Sequence, residues 1–363
     1  MRIVQLIDSL EAGGAEKMAV SYANSLADTI AFSGLVVTRY EGPLYENVSQ
    51  KENYLFLNKK KIVDLKALIV FKKYLKKNEI AFIHAHSTSV YFALLVKLLL
   101  PKIKIIWHDH YGNSEMLYAR KFIFLKIISR FLFGIISVND LLKKWATTKL
   151  SCKNSIYLPN FTKSSIINNS TKTILKGVDG KRILCLANLR PQKNHQMLLN
   201  IAKNIHQLHQ DYTFHLVGKD FKDGYSQEIK KTIQQYKLEE TVFIYDSKPD
   251  VMAIIYQATI GILTSKSEGL PVALLEYGIG KLAVVCTHVG EIPSIIKNDE
   301  NGYLIDVNNE TAFIEALKIL INNKDKRLLL GQNLYNDITK RFNNTQTIND
   351  YIKWITQNLH LKQ

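Results

Sequence analysis

The segment Ser265-Lys-Ser-Glu268-Gly269-Leu270-Pro271-Val-Ala-Leu-Leu-Glu276 sets two carboxylates eight positions apart, around a Gly-Leu-Pro that opens a predicted helix. The run from Thr259 to Thr264 before it is short, apolar and closed by small polar residues, so it reads as a buried strand. A helix that starts just past the carboxyl end of a strand offers backbone amides and a positive dipole end to an anion. Pro271 suits its first position, because the N–H it lacks would be unpaired there. A diphosphate fits such an end. Glu268 on the loop and Glu276 more than a turn into the helix can then accept hydrogen bonds from neutral hydroxyls on either side of the phosphate, as a sugar nucleotide would offer them. Carboxylates beside a dianion need cations, and Arg190 and Lys193 supply them from the loop after a second apolar strand, Arg182 to Ala187. Arg presents a planar fork to phosphate and Lys a mobile point charge, so together they neutralise a leaving diphosphate without a metal.

The first half carries weaker signals. Gly13-Gly14 follows the first strand candidate, where missing side chains let a ligand approach the backbone. The residues do not make G-x-G-x-x-G, which speaks against a dinucleotide cofactor. His108 and His110 lie in Trp107-His108-Asp109-His110 at the end of another strand candidate. His-Asp-His on an extended loop is expected to splay successive side chains apart, and no third ligand group is evident, so no metal site is expected. His84 and His86 follow the strand candidate at Ile80 and either reach an acceptor or serve packing and capping.

Leu186-Ala-Asn-Leu-Arg190-x-x-Lys193, Glu268-Gly-Leu-Pro with Glu276, Gly290-Glu-Ile-Pro293 and Asn301-Gly302-Tyr-Leu304 together resemble the C-terminal domain of family 4 glycosyltransferases, the group 1 type. Gly13-Gly14-Ala15-Glu16, His84-Ala-His86 and His108 extend the resemblance over nearly the whole chain. It implies an α/β GT-B fold: two Rossmann-like, doubly wound parallel-sheet domains facing across a cleft. It also implies transfer of a sugar with retention of anomeric configuration. The donor would be a nucleotide sugar, a UDP-sugar in preference to a GDP-sugar, acting as co-substrate with no separate cofactor. By the same resemblance Glu276 holds the ribose hydroxyls and Glu268 the hydroxyls of the transferred sugar, with Glu268, Arg190 and Lys193 in the catalytic set. Gly269, Leu270 and Pro271 bring backbone to the donor and its phosphates, as do Gly13 and Gly14. A histidine sits near the anomeric centre and the 6-hydroxyl; His108 is the positional match and His110 the fallback.

Strand candidates alternate with helical stretches, which argues for parallel sheets wrapped by helices. Strands are expected at Arg2 to Ile7, Leu35 to Arg39, Ile80 to Ala85, Lys104 to Trp107 and Gly134 to Val138, with helices at Ala15 to Leu26, Val90 to Leu99 and Tyr118 to Phe133. Residues 162–180 are polar and turn-rich and read as the connection between domains. Alternation resumes at Arg182 to Ala187, Thr213 to Val217, Thr241 to Tyr245, Thr259 to Leu263 and Ala283 to Cys286. The expected domains are an acceptor-binding domain at 1–165, a nucleotide-sugar-binding domain at 175–340 and a C-terminal helix at 345–363 that crosses back to the first. Gly13, Gly14, His108, Arg190, Glu268 and Glu276 all fall just after strand candidates, where ligands of open parallel sheets bind.

A chain of 363 residues, 47% apolar, suffices for two domains with their own cores. Cys152, Cys185 and Cys286 match no metal or disulfide spacing and suit a reducing compartment. The start runs straight into a strand without a signal-peptide pattern, and no apolar stretch is long enough to span a bilayer, so a cytoplasmic location is expected. Net charge is +16, and residues 1–160 hold 23 Lys and Arg against 12 Asp and Glu. The basic, apolar segments Lys59 to Lys77 and Tyr118 to Phe133 suit peripheral contact with an anionic membrane, at the inner face of the cytoplasmic membrane. The expected activity is transfer of a hexose-type sugar to a lipid-linked or oligosaccharide acceptor of a cell-surface glycan, and the alternative is a nucleotide-sugar 2-epimerase of the same architecture. A nucleic-acid partner would explain the charge but leave the paired glutamates without a purpose, and none is expected.

Overall fold

The computed structural model describes residues 1–162 and 173–360. The chain divides into two compact units, Met1–Phe161 with Asn344–Gln363, and Thr162–Asn343. Residues 163–172 of the connection expected at 162–180 lie outside the described residues.

The first unit runs β1 (Arg2–Ser9), α1 (Gly14–Ala27), β2 (Phe32–Tyr40), β3 (Tyr54–Phe56), α2 (Leu65–Lys77), β4 (Phe82–His86), α3 (Val90–Leu99), β5 (Lys104–Asp109), α4 (Ile123–Ser129), β6 (Gly134–Ser137), α5 (Asp140–Lys149) and β7 (Ser155–Tyr157). Its parallel sheet has the order β3-β2-β1-β4-β5-β6-β7 among the described residues. From β1 the chain first steps to β2 and β3, then returns to the other side of β1 and advances through β4 to β7. The switch point therefore lies between β1 and β4. Right-handed crossovers that advance in one direction lay their helices on one face of the sheet. Phe71 of α2, Phe92 of α3, Leu125 of α4 and Trp145 of α5 accordingly share one core. The α1 crossover runs the other way and covers the opposite face.

Local sequence explains the helix ends and faces. Asp64 caps α2 by accepting from the Ala67 amide at 3.1 Å, and Ala67, Leu68, Phe71 and Leu75 form its buried stripe at helical spacing. The segment expected as one helix from Tyr118 to Phe133 is instead a 3-10 turn at Ser114–Ala119 and the short α4. Arg120 separates them in an extended conformation, its guanidinium held bidentately by buried Asp109 at 2.6 and 2.9 Å. It also lies over the rings of Tyr111 and Trp145. Burying that charge with its partner takes precedence over helix propensity.

The second unit runs β8 (Arg182–Leu186), α6 (His195–Leu208), β9 (Thr213–Val217), α7 (Gly224–Gln235), β10 (Val242–Tyr245), α8 (Val251–Ile255), β11 (Ile260–Leu263), α9 (Val272–Ile279), β12 (Ala283–Thr287), α10 (Ile292–Ile295), β13 (Tyr303–Ile305), α11 (Glu310–Asn322) and α12 (Lys324–Arg341). Its order, β10-β9-β8-β11-β12-β13, puts the switch point between β8 and β11. The final helix α13 (Asn344–His360) belongs to the first unit. There Ile348, Tyr351 and Ile355 are buried, at spacings of three and four residues that make one helical face. Burial contributes on the order of 2 kcal/mol for each such side chain.

Candidate active site

At a switch point the loops that follow two neighbouring strands leave in opposite directions and open a crevice at the strands' carboxyl ends. In the second unit these are the loops after β8 and β11, which carry Arg190 and Lys193, and Glu268. They are sewn together: Thr264 Oγ1 donates to the Lys193 carbonyl at 3.0 Å, and the Lys266 amide to the Gln192 carbonyl at 2.8 Å. Lys193 Nζ donates to both oxygens of Glu268, at 2.6 and 2.7 Å, and Ser265 Oγ donates to Glu268 Oε1 at 2.6 Å. Glu268 is only 5% exposed. A buried carboxylate needs that compensation. Arg190 lies over the Phe221 ring at 3.3 Å and 3.7 Å from Asp223 Oδ2, with its side chain 42% exposed. Its head thus stays open to an anion.

The helix α9 that follows the Gly-Leu-Pro turn is held from below. Tyr277 of α9 donates its hydroxyl to the Leu184 carbonyl at 3.0 Å and accepts from the Leu186 amide at 2.7 Å, tying α9 to β8. Gly261 makes room, since a Cβ there would collide with the Tyr277 ring. Pro271 is the N-cap residue of α9, and no side chain caps this end. Gly290, in the left-handed region at φ 55°, passes so close to the Glu268 carbonyl that a Cβ would collide with it. The Glu291 amide then bonds the Gly269 carbonyl at 3.0 Å, so the loop after β12 fixes the backbone of the Gly-Leu-Pro turn.

The first unit buries a set of histidines on one face of its sheet. His84 and His86 of β4 and His108 of β5 are fully buried on one face of the sheet, with His110 just beyond β5. The rings form two side-by-side pairs, His84 Nε2 with His108 Nδ1 at 3.2 Å and His86 Nδ1 with His110 Nε2 at 3.0 Å. The pairs stack at ring-centroid separations of 4.4 Å for His84 and His86, and 4.0 Å for His108 and His110. Tyr22 of α1 meets His84 and His108 edge-on, and Tyr351 of α13 stacks on His84. Burial holds all four imidazoles far below their ordinary titration range, His110 down to about 3, so they are neutral in the fold.

Residues 167–337 match the model of glycosyl transferases group 1. The chain is 26% identical to the amylovoran biosynthesis glycosyltransferase AmsD of Erwinia amylovora, over 91% of this chain and 93% of that protein. It is 25% identical to the UDP-Gal:alpha-D-GlcNAc-diphosphoundecaprenol alpha-1,3-galactosyltransferase of Escherichia coli, over 85% and 84% of the two chains. The chain is a glycosyltransferase. Its fold is GT-B, and it superposes on Anabaena HepE, solved in complex with UDP-glucose, with a TM-score of 0.77 at 15% identity over 99% of both chains.

Within this glycosyltransferase, Arg190, Lys193, Glu268, Gly269, Leu270, Pro271 and Glu276 all lie in the second unit, and Gly13, Gly14 and His108 in the first. Several expectations need correction. Lys193 and Glu268, expected to contact separate parts of a ligand, also pair with each other, which the sequence reading did not foresee. Pro271 caps the helix instead of opening it. The His-Asp-His side chains do not splay apart: residues two apart on a strand share a face, and the neighbouring strand brings His84 and His86 to the same place. His84, His86 and His108 offer nitrogens within 4.8 Å of one another. The third imidazole that the sequence did not show is therefore present, and His84 Nδ1 and His108 Nε2 have no hydrogen-bond partner among the described residues. His108 is sealed inside the unit, and His110 is the histidine of the set with residual exposure. Gly13 is extended at the start of α1, and a Cβ there would collide with the carboxylate of Glu16. Sequence reasoning missed Phe221 and Asp223 beside Arg190, and Ser265 on Glu268. The last lies within the motif itself, three residues before the carboxylate it serves.

Proposed function

We propose that the enzyme moves a hexose-type sugar from a nucleotide-diphosphate sugar, UDP-linked in preference to GDP-linked, to a lipid-linked glycan acceptor with retention of configuration. The observation that carries this reading is the switch-point crevice of the second unit, where Arg190, the Lys193–Glu268 pair and the uncapped start of α9 occur together. An ammonium has three protons and Glu268 engages two, so the third remains for a phosphate oxygen while the carboxylate stays anchored. Glu268 then accepts from hydroxyls of the transferred sugar and Glu276 from the ribose. Arg190, Lys193 and the amides of the first turn of α9 stabilise the charge that develops on the departing diphosphate, the term that dominates catalysis of this kind. The acceptor hydroxyl attacks on the face the diphosphate leaves, and a phosphate oxygen takes its proton. In the first unit, His110 takes the place of His108 as the histidine that meets substrate. Transfer is favoured over 2-epimerisation because the relatives compared are named for transfer.

The acceptor class is supported by the diphosphoundecaprenol in one relative's name and by the surface of the first unit. Residues 57–133 hold 15 Lys and Arg against 4 Asp and Glu. Exposed apolar side chains concentrate there: Ile62, Leu65 and Ile69 around α2, Leu98 on α3, and Tyr118, Ile123 and Phe124 around α4. Tyr118 is 85% exposed and Ile123 74%. The helices α2, α3 and α4 lie side by side on one sheet face, and Tyr91 of α3 stacks on Phe124 of α4 at 5.7 Å, so these residues form one apolar and basic surface. It suits the interface of an anionic bilayer. No helix among the described residues is long and apolar enough to cross a membrane.

A thermal-shift series tests the donor assignment, because a ligand of the folded state raises its apparent stability. UDP and UDP-hexoses should raise Tm more than GDP or ADP at equal concentration. A larger shift with GDP would overturn the UDP reading, and no shift with any nucleotide would overturn the donor site.

A further inference from the structure

The imidazole pair at the mouth of the first unit is tied to a third buried group. Gln5, on β1, and His86 are both fully buried, and Gln5 Oε1 lies 2.9 Å from His86 Nε2. Strands β1, β4 and β5 are neighbours, and their register pairs Gln5 with His84 and His86 with His108, which sets all these side chains on one face. The result is a chain of contacts from Gln5 to His86 to His110, which ends at the one member that retains surface exposure.

Each link dictates the next. An amide oxygen only accepts, so the nitrogen facing it, His86 Nε2, carries the proton. A neutral imidazole has one N–H, so His86 Nδ1 is a bare acceptor and His110 Nε2 must be the donor to it. His110 Nδ1 is then left with its lone pair. We infer that Gln5 and His86 are positioning residues that lock His110 as its Nε2–H tautomer, so that it offers Nδ1 as an acceptor to a hydroxyl of the substrate. A histidine whose other nitrogen is engaged in this way is fixed in ring orientation as well as tautomer. The role at the substrate rests on the transfer proposed above; the tautomer itself does not.

Nitrogen-15 NMR of the full-length protein, labelled at histidine, separates the two. The expected spectrum of the wild type without substrate shows His110 with a protonated Nε2 and a bare Nδ1. Gln5→Met matches the glutamine in length, keeps the core filled and cannot hold His86. It should mix the His110 tautomers and lower kcat about tenfold, with the donor KM changed far less. A His110 protonated at Nδ1 in the wild type, or a His110 spectrum untouched by Gln5→Met, overturns the relay. A changed tautomer with unchanged kcat overturns its part in transfer. Normal UDP-induced shifts in Tm in the variant show that the donor reading stands regardless of this outcome.

Discussion

The two units solve the same topological problem with opposite chemistry. Each reverses its strand order once, but the second carries charge on loops past the strand ends at that point, and the first buries neutral histidines on one face of its strands. Arg190 keeps its head exposed, and Lys193 compensates the buried carboxylate of Glu268. The histidines sit where a charge would find no water, and so serve as hydrogen-bonding groups of fixed protonation.

Acid should break this contrast most forcefully. In the unfolded chain imidazoles take up protons below about pH 6.5, whereas burial keeps His84, His86 and His108 neutral far below that and His110 neutral to about 3. The unfolded state therefore binds more protons as pH falls, and stability is lost from about pH 6.5 downwards, by about 1.4 kcal/mol per pH unit for each unmatched proton. The second unit has two such buried histidines, His195 and His215, each lowered to about 4. Hydrogen exchange between pH 7 and 4, corrected for intrinsic rates, should show β4 and β5 losing protection before β8 and β11. The reverse order would remove the distinction.

The outer surface of the first unit gives the next largest effect. Arg120 is committed to Asp109, so the exposed basic residues near α4 that the proposed membrane contact would use are Lys121, Lys126 and Arg130. At about 1 kcal/mol each near an anionic surface, replacing the three with Gln should weaken vesicle binding on the order of a hundredfold. Flotation with vesicles rich in anionic lipid would measure it. Wild type that fails to float at low salt, or a triple variant that floats as well, would leave the apolar band without this partner.

The smallest expected change sharpens the second unit's side. Glu276→Ala and Lys193→Ala should each reduce kcat/KM at least about tenfold, the equivalent of one charge-assisted hydrogen bond in the transition state. Removing the ammonium also strands buried Glu268, so Lys193→Ala should lower Tm more than Glu276→Ala does. Full activity in either folded variant would detach these residues from the reaction.

What could be read in advance follows the physics of range. Period and composition place most strands within two or three residues, and β11 and α9 together with the motif between them, because a buried strand and a helix start marked by proline are local statements. The short strands β3, β7 and β13 are three residues each, too brief to show a period. The broken helix near Tyr118 escapes because Asp109, eleven positions away, claims Arg120. The Lys193–Glu268 pair and the histidine set depend on which strands become neighbours. The alternation of side chains along β5 was nevertheless available, since His108 and His110 differ by two.

The isolated bridge between Thr162 and Asn343 brings together the points where the chain enters and leaves the second unit. That unit is thus an insertion, closed at its base like a loop, inside a first unit whose last piece is the final helix. Phe161 packs on Tyr22 on one side of the insertion and Tyr351 packs on Tyr22 from the other. Trp354 fills the space over Gly134 that a Cβ would occupy. On the ribosome the second unit can complete itself while its host still lacks a wall, because α13, whose Tyr351 covers the histidine set, follows it in the chain. The unit that begins first is therefore completed after the one inserted into it, and loss of α13 should leave an assembled second unit attached to an open first one.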